Sequence, residues 1–202
     1  MRNLLILLLF GFLAACQSET PTTSNVADPQ QEAQPNVPAE PSVATPTQKT
    51  GAGRTVPVNE NDFIDLKLAG GQIPKGERIC VDVYANRFKD VMSMQYTIQW
   101  DPKVLELNAV GKFQLKDLTA SNFGATKGSE GILTFSWYDN DIKGVSAPDG
   151  VSIYQICYNA IGAIGSSTEI NFTENPVPFE ISNKAGEIIR FDHKGGTVKI
   201  TR

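Results

Sequence analysis

The stretch that decides the fold is Met94-Gln95-Tyr96-Thr97-Ile98-Gln99-Trp100-Asp101-Pro102-Lys103-Val104-Leu105-Glu106. Met92, Met94, Tyr96, Ile98 and Trp100 alternate with Ser93, Gln95, Thr97 and Gln99. Successive strand side chains point to opposite faces, so the first set is assigned to a core and the second to solvent or a partner. The following Asp101-Pro102 is a turn signal. Asp101 reads as structural, because an Asp side chain caps the local backbone and the residue before Pro stays extended. Only Pro102–Glu106 could make a single helical turn; no apolar pattern of helical period persists over four turns.

Outward from this stretch, the rest of the C-terminal region also reads as strands. The candidate runs are Phe63–Leu68, Arg78–Ala85, Val91–Trp100, Val104–Val110, Ile132–Tyr138, Val151–Ile161, Glu169–Thr173, Glu187–Phe191 and Thr197–Thr201. Most are rich in Val, Ile, Phe, Tyr, Trp and Thr. Gly70-Gly71, Pro74-Lys75-Gly76, Asp149-Gly150, Lys184-Ala185-Gly186 and Gly195-Gly196 punctuate them. Many short, regularly spaced strands imply an all-β sandwich. In Arg78–Ala85, Ile79, Val81, Val83 and Ala85 share one face, opposite Cys80, Asp82 and Tyr84. In Ile132–Tyr138, Leu133, Phe135 and Trp137 alternate with Thr134, Ser136 and Tyr138. The outward sets carry hydroxyls and amides, which describes a flat polar sheet face. Trp100 and Trp137 fall on inward registers and read as core rather than sugar platforms. Tyr84 and Tyr138 are the candidates for an exposed aromatic.

The N-terminus is of another kind. Arg2 is followed by the apolar run Leu4–Leu13 and then Ala14-Ala15-Cys16. That order reads as a secretory signal peptide, too short to span a membrane. The Cys at the cleavage point makes it resemble a bacterial lipobox, in which the Cys is acylated and becomes the first mature residue. The other reading is an ordinary signal peptide with an incidental Cys. Gln17, where Asp would signal inner-membrane retention, favours the outer membrane, periplasmic or surface-exposed. Residues 17–55 hold six of the twelve prolines and no aromatic, Leu, Ile or Met. Such a stretch buries too little apolar surface to offset its ordering entropy and is expected to be a disordered stalk. The expected organisation is therefore signal peptide 1–16, linker 17–56 and one folded domain 57–202.

The formal net charge is −4 and no basic block is present, so nucleic acid is not the expected partner. Three cysteines occur. With Cys16 assigned to lipid, Cys80 and Cys157 remain, and an exported compartment favours a disulfide between them. Two half-buried strand thiols are the alternative. His193 is the sole histidine and reads as a solvated turn residue in Asp192-His193-Lys194-Gly195. No nucleophile elbow, Cys/His pair, zinc pattern or phosphate loop occurs. Asp139-Asn140-Asp141 opens like a calcium loop but lacks the later ligands, leaving only a looser grouping of Asp139, Asp141 and Asp149. Paired carboxylates for glycoside hydrolysis are set by spacing in space, and none stands out here. A non-enzyme without cofactors or a metal is expected.

The segments Ile79-Cys80-Val81-Asp82-Val83 and Met94 to Glu106 resemble the cohesin domain, whose hallmark is an aromatic-Asp-Pro-x-x-Leu-Glu segment after an alternating strand. Gly131-Ile132-Leu133-Thr134-Phe135-Ser136-Trp137 is similar to its fifth strand. Asp149-Gly150-Val151 with Ile153-Tyr154-Gln155-Ile156-Cys157-Tyr158 is similar to its sixth, and Gly195-Gly196-Thr197-Val198-Lys199-Ile200 to its last. The resemblance covers nearly all of residues 62–202. It implies a nine-stranded jelly-roll β-sandwich, related to carbohydrate-binding modules, that binds a calcium-loaded dockerin in polysaccharide breakdown. It also implies a recognition face on the sheet holding the third, fifth and sixth strands. Ser93 and Gln95 match positions where well-known members often carry Asn and Asp. The expected partner-binding face is Ser93, Gln95, Thr97, Gln99, Thr134, Ser136 and Tyr138. The partner is a dockerin-like protein or a polysaccharide, with the membrane reached through the N-terminal lipid. A structural envelope lipoprotein is the third reading.

Overall fold

The computed structural model describes residues 47–49 and 55–202, with side chains from Val58 onward. The expected signal peptide, the Cys16 lipidation site and most of the expected linker lie outside the described residues. The strands are β1 (Thr47–Lys49), β2 (Thr55–Leu68), β3 (Gly71–Pro74), β4 (Arg78–Asn86), β5 (Val91–Gln99), β6 (Leu105–Gly111) and β7 (Phe123–Gly124). They continue with β8 (Ile132–Tyr138), β9 (Val151–Ala160), β10 (Ser167–Thr173), β11 (Glu180–Asn183), β12 (Ile188–Lys194) and β13 (Gly196–Thr201). Two single-turn 3-10 segments, Ala120–Asn122 and Gly128–Glu130, flank β7.

The architecture is an all-β sandwich, as read from the sequence, but with thirteen strands among the described residues where nine were expected. The additional strands are β1, β3, β7 and β11, two to four residues each. That is too short for an alternation to register in sequence. One layer places β5 at its centre, with β8 on one side and β10 and β11 sharing the other; β7 extends it beyond β8. The other layer runs β6-β9-β4-β2-β12. A single pair, Ser182↔Ile188, links β11 to β12 between the layers. β13 and β3 continue from β10. Within the stretch read as linker, Thr47–Lys49 pairs antiparallel with Thr55–Pro57.

The alternation sets both layers. Ile64, Leu66 and Leu68 of β2, Val81, Val83 and Ala85 of β4, and Met94, Tyr96 and Ile98 of β5 are all fully or almost fully buried. Leu133, Phe135 and Trp137 of β8 share the same core with Tyr154, Ile156 and Tyr158 of β9. Burying each large apolar side chain contributes about 1.5–3 kcal/mol before entropy is charged against it. Both tryptophans are core residues with satisfied indoles. Trp100 donates to the Leu105 carbonyl at 2.8 Å and Trp137 to the Lys116 carbonyl at 2.8 Å.

Three local readings change. Met92, expected on the core side of β5, is only half-buried, and Val91 is fully buried instead. The register slips between Ser182↔Ser93 and Asn183↔Val91, leaving Met92 as the extra residue of a bulge that inverts the parity. His193, expected in a turn, lies in β12, because Asp192, His193 and Lys194 pair in parallel with Asp65, Leu66 and Lys67. Burial lowers its pKa. The strand expected to share a sheet with β5 and β8, Val151–Ala160, instead pairs with β4 and β6 in the opposite layer.

The turn after Trp100 forms as the sequence implies. The Asp101 side chain accepts the Lys103 N–H at 2.8 Å, and its carbonyl accepts from Val104 and Leu105 at 3.0 and 3.1 Å. Gly131 closes the opposite side. It has φ +76°, and a Cβ there would collide with the Trp100 carbonyl oxygen, so only glycine fits.

Candidate functional site

The outer face of the β5 layer follows directly from strand register. Ser93 lies opposite Tyr138 on one side and Ser182 on the other. Gln95 lies between Ser136 and Glu180, Thr97 between Thr134 and Thr173, and Gln99 between Ile132 and Asn171. Directly opposed strand residues have Cβ atoms about 4.5–5.5 Å apart, so these residues stand side by side in rows, polar except at Ile132.

The expected face residues differ in what they offer. Tyr138 is 62 % exposed, Ser136 is exposed, and Ser93, Gln95, Gln99 and Thr134 are half-buried. Thr97 is fully buried. Its hydroxyl donates to the Val177 carbonyl at 3.0 Å and accepts the Val177 N–H at 2.9 Å. The loop from Glu174 to Phe179 thus takes up both capacities of Thr97, which is left with nothing to give a partner. Ser93 and Ser182 share a hydrogen bond of 2.7 Å. The Thr134 hydroxyl reaches the Gly124 carbonyl at 3.4 Å, and Asn122 donates to the Ser136 carbonyl at 2.9 Å.

Four residues join the face that the sequence reading did not assign to it: Asn171, Thr173, Glu180 and Ser182. Asn171 and Thr173 were legible as the outward parity of Glu169–Thr173. Glu180 and Ser182 flank a single buried Ile181, and one apolar residue shows no period. Glu169 and Glu180 are the carboxylates of the face strands. Neither has a Lys or Arg nitrogen within ion-pair distance among the described residues.

At one end of the face, the turn after Tyr138 is organised by Asp139, whose carboxylate is almost fully buried. It accepts backbone N–H groups of Lys143 at 2.8 Å, Gly144 at 3.0 Å and Asp141 at 3.2 Å, and the Lys116 ammonium at 3.3 Å. These bonds, that from Lys143 foremost, hold the Asp139 carboxyl below the usual range. Lys116 also pairs with Asp141, which raises its own pKa. The grouping of Asp139, Asp141 and Asp149 considered from sequence does not assemble. An ammonium lies between the first two, and Asp149 accepts the Arg87 N–H at 2.6 Å elsewhere. No cluster of three metal-ligating side chains occurs among the described residues.

The opposite layer carries the cysteines. Cys80 and Cys157 are directly opposed in β4 and β9 and are joined by a disulfide. Both are half-buried on its outer face. Beside them Asp82 accepts from Ser152 and from Lys112, the latter at 3.2 Å. Burial opposes its charge, but these bonds and one from Gln155 outweigh it and hold its pKa low.

The cohesin domain model matches residues 63–183. The chain belongs to the cohesin domain family. Solved structures agree on the fold of this cohesin. The OlpA cohesin of Clostridium thermocellum, solved in a cohesin–dockerin complex, aligns with a TM-score of 0.58 at 16% identity, covering 68% of this chain and 99% of that one. The seventh ScaB type I cohesin of Pseudobacteroides cellulosolvens aligns with a TM-score of 0.57 at 14% identity, covering 68% and 92%. A non-cellulosomal cohesin of the archaeon Archaeoglobus fulgidus gives 0.51 at 18% identity, covering 69% and 92%. A search of curated proteins finds no match.

Proposed function

We propose that this cohesin is a lipid-anchored, non-catalytic attachment module that holds a dockerin-type partner at the cell envelope, in the service of polysaccharide degradation. The observation that carries the reading is the polar face itself. A central strand, β5, presents Ser93, Gln95 and Gln99 between the outward residues of β8, β10 and β11. Hydroxyls and amides held at fixed spacing on paired strands suit a hydrogen-bonded protein contact. The solved cohesin–dockerin complexes of similar fold lend the choice of partner its support. The lipobox-like Leu13-Ala14-Ala15-Cys16 and the proline-rich stretch behind it support anchoring at the outer membrane.

Calorimetric titration of the lipid-free chain with calcium-loaded dockerin modules tests the partner. Binding abolished by Gln95→Arg supports the reading. Binding indifferent to Gln95→Arg and Ser136→Arg removes this face from it. The second reading is direct glycan binding, favoured by the 62 % exposure of Tyr138. Retention on insoluble polysaccharide that Tyr138→Ala abolishes, with no dockerin binding, replaces the first reading by the second. For the anchor, Cys16→Ser should end fatty-acid labelling and release the protein from membranes. Continued labelling sinks the lipid assignment.

A further inference from the structure

Where the two layers meet at β11 and β12, the pairing comes apart on both sides of β12. A single pair, Ser182↔Ile188, joins β12 to β11. Towards β2 the register jumps from Ile189↔Asn59 to Arg190↔Phe63, which leaves Glu60, Asn61 and Asp62 outside the ladder. A cleft of about 550 Å³ is lined by residues from both breaks, Phe179, Phe191, Glu60 and Glu174 among them. That volume lies in the range of small-molecule sites.

The apolar wall of the cleft is aromatic and preformed. Phe179 and Phe191 meet edge to face at 5.0 Å, and both are half-buried, so each keeps open surface. Phe191 is fixed from behind by the buried rings of Tyr96, stacked at 5.7 Å, and Phe172, edge-on at 5.5 Å. Rings already held in place lose little entropy on contact. The face of a phenyl ring attracts a cation through its quadrupole.

The charges select the same sign of ligand. Glu60 and Glu174 are exposed, and neither has a Lys or Arg nitrogen within ion-pair distance among the described residues. Arg190 is the cation of the lining, and its guanidinium is held by two bonds to Asp192 of 2.9 and 3.0 Å. Those bonds foremost, with Glu60 nearby, raise its pKa. His193, packed on Phe179 at 4.9 Å, adds no second cation near neutral pH, because burial lowers its pKa. The lining therefore sets two carboxylates against a guanidinium that a third carboxylate already holds, and Glu174 is the one free for a ligand. No cluster of three metal-ligating side chains occurs among the described residues, and the cleft is far wider than a bare ion.

We propose that this cleft binds a small organic cation, an ammonium on an apolar stem. The stem lies against Phe179 and Phe191, and the ammonium faces Glu174. The cleft shares no residue with the polar face of β5, so it stands or falls independently of that face.

The test is an NMR titration of the chain with benzylammonium and with benzyl alcohol, its neutral counterpart of similar shape. Benzylammonium should shift the amide signals of Phe179 and Phe191 saturably, with a dissociation constant of about 1 mM or below. Benzyl alcohol should bind about tenfold more weakly. Glu174→Gln, a change at an exposed residue, should weaken benzylammonium about threefold and flatten its salt dependence. Phe179→Leu keeps an apolar wall but removes a ring face, and should weaken benzylammonium about threefold while leaving benzyl alcohol nearly unchanged. The same spectra show whether each variant remains folded. Equal affinity for the two compounds overturns the proposal, as does binding indifferent to Glu174→Gln. Shifts confined to other residues, or no saturation below about 10 mM, overturn it too.

Discussion

The hydroxyls of Tyr96 and Tyr154 meet 2.8 Å apart inside the sandwich, one from each layer. Tyr96 stands on β5, behind the candidate face, and Tyr154 on β9, which shares no backbone pairing with β5. Both rings stack on Phe135, with centroids at 4.6 and 5.5 Å. Burial pushes both phenol pKa values upward, so the pair stays neutral and one hydroxyl donates to the other.

Removing one hydroxyl should therefore cost more than removing both. Tyr96→Phe leaves the Tyr154 oxygen buried without its partner, at a cost of about 1–3 kcal/mol. The double variant Tyr96→Phe with Tyr154→Phe should recover much of that loss. Urea unfolding of the three variants gives the cycle, and a purely additive result would show that the bond does not couple the layers.

Tyr158 gives the opposite expectation. Its hydroxyl is buried and has no hydrogen-bond partner among the described residues. Tyr158→Phe should raise stability by about 1 kcal/mol, because the desolvation penalty disappears with the oxygen. A fall in the urea midpoint would show instead that the hydroxyl is bonded in solution.

The disulfide closes a separation of 77 residues between β4 and β9. Cross-linking so long a loop restricts the unfolded chain, and removal should cost about 2–5 kcal/mol. Cys80→Ala with Cys157→Ala should lower the thermal midpoint, and neither thiol should react with a maleimide before reduction. An unchanged midpoint would show that the cross-link adds nothing to the packing of the two strands.

Acid should loosen the Asp139 turn. Its folded pKa is depressed, so its stabilisation is fully present above the unfolded carboxylate value of about 4. It is lost as the pH falls through the lower folded value. Asp139→Asn should be less stable than the native chain at pH 7. The difference should shrink progressively in unfolding experiments carried below about pH 4. A difference that does not vary with pH would mean that the carboxylate charge is not what holds the turn.

Much of this fold was legible because alternation is a one-dimensional record of which face is buried. Met94, Tyr96 and Ile98 against Ser93, Gln95 and Gln99 needed no coordinates, nor did Leu133, Phe135 and Trp137. The face was legible only in the strands long enough to alternate. Glu180 and Ser182 are not legible because β11 has four residues, and Thr97 shares the parity of the open face because parity says nothing of a loop that folds back over it. Met92 failed for a related reason. A bulge adds one residue to one strand, and the residue that does so carries no chemical mark.

Strand chemistry, the turn at Asp101-Pro102 and the inward placement of both tryptophans are written in the chain, because each is set by neighbours a few residues away. The layer that each strand joins is not written there; it emerges only when the two sheets close on one another. That closure set β9 against β4 rather than beside β5, brought Cys80 opposite Cys157, and aligned Glu180 with Gln95. Those outcomes depend on pairing between segments tens of residues apart. Many pairings bury the same apolar face, and the one adopted is fixed by how the two layers pack together.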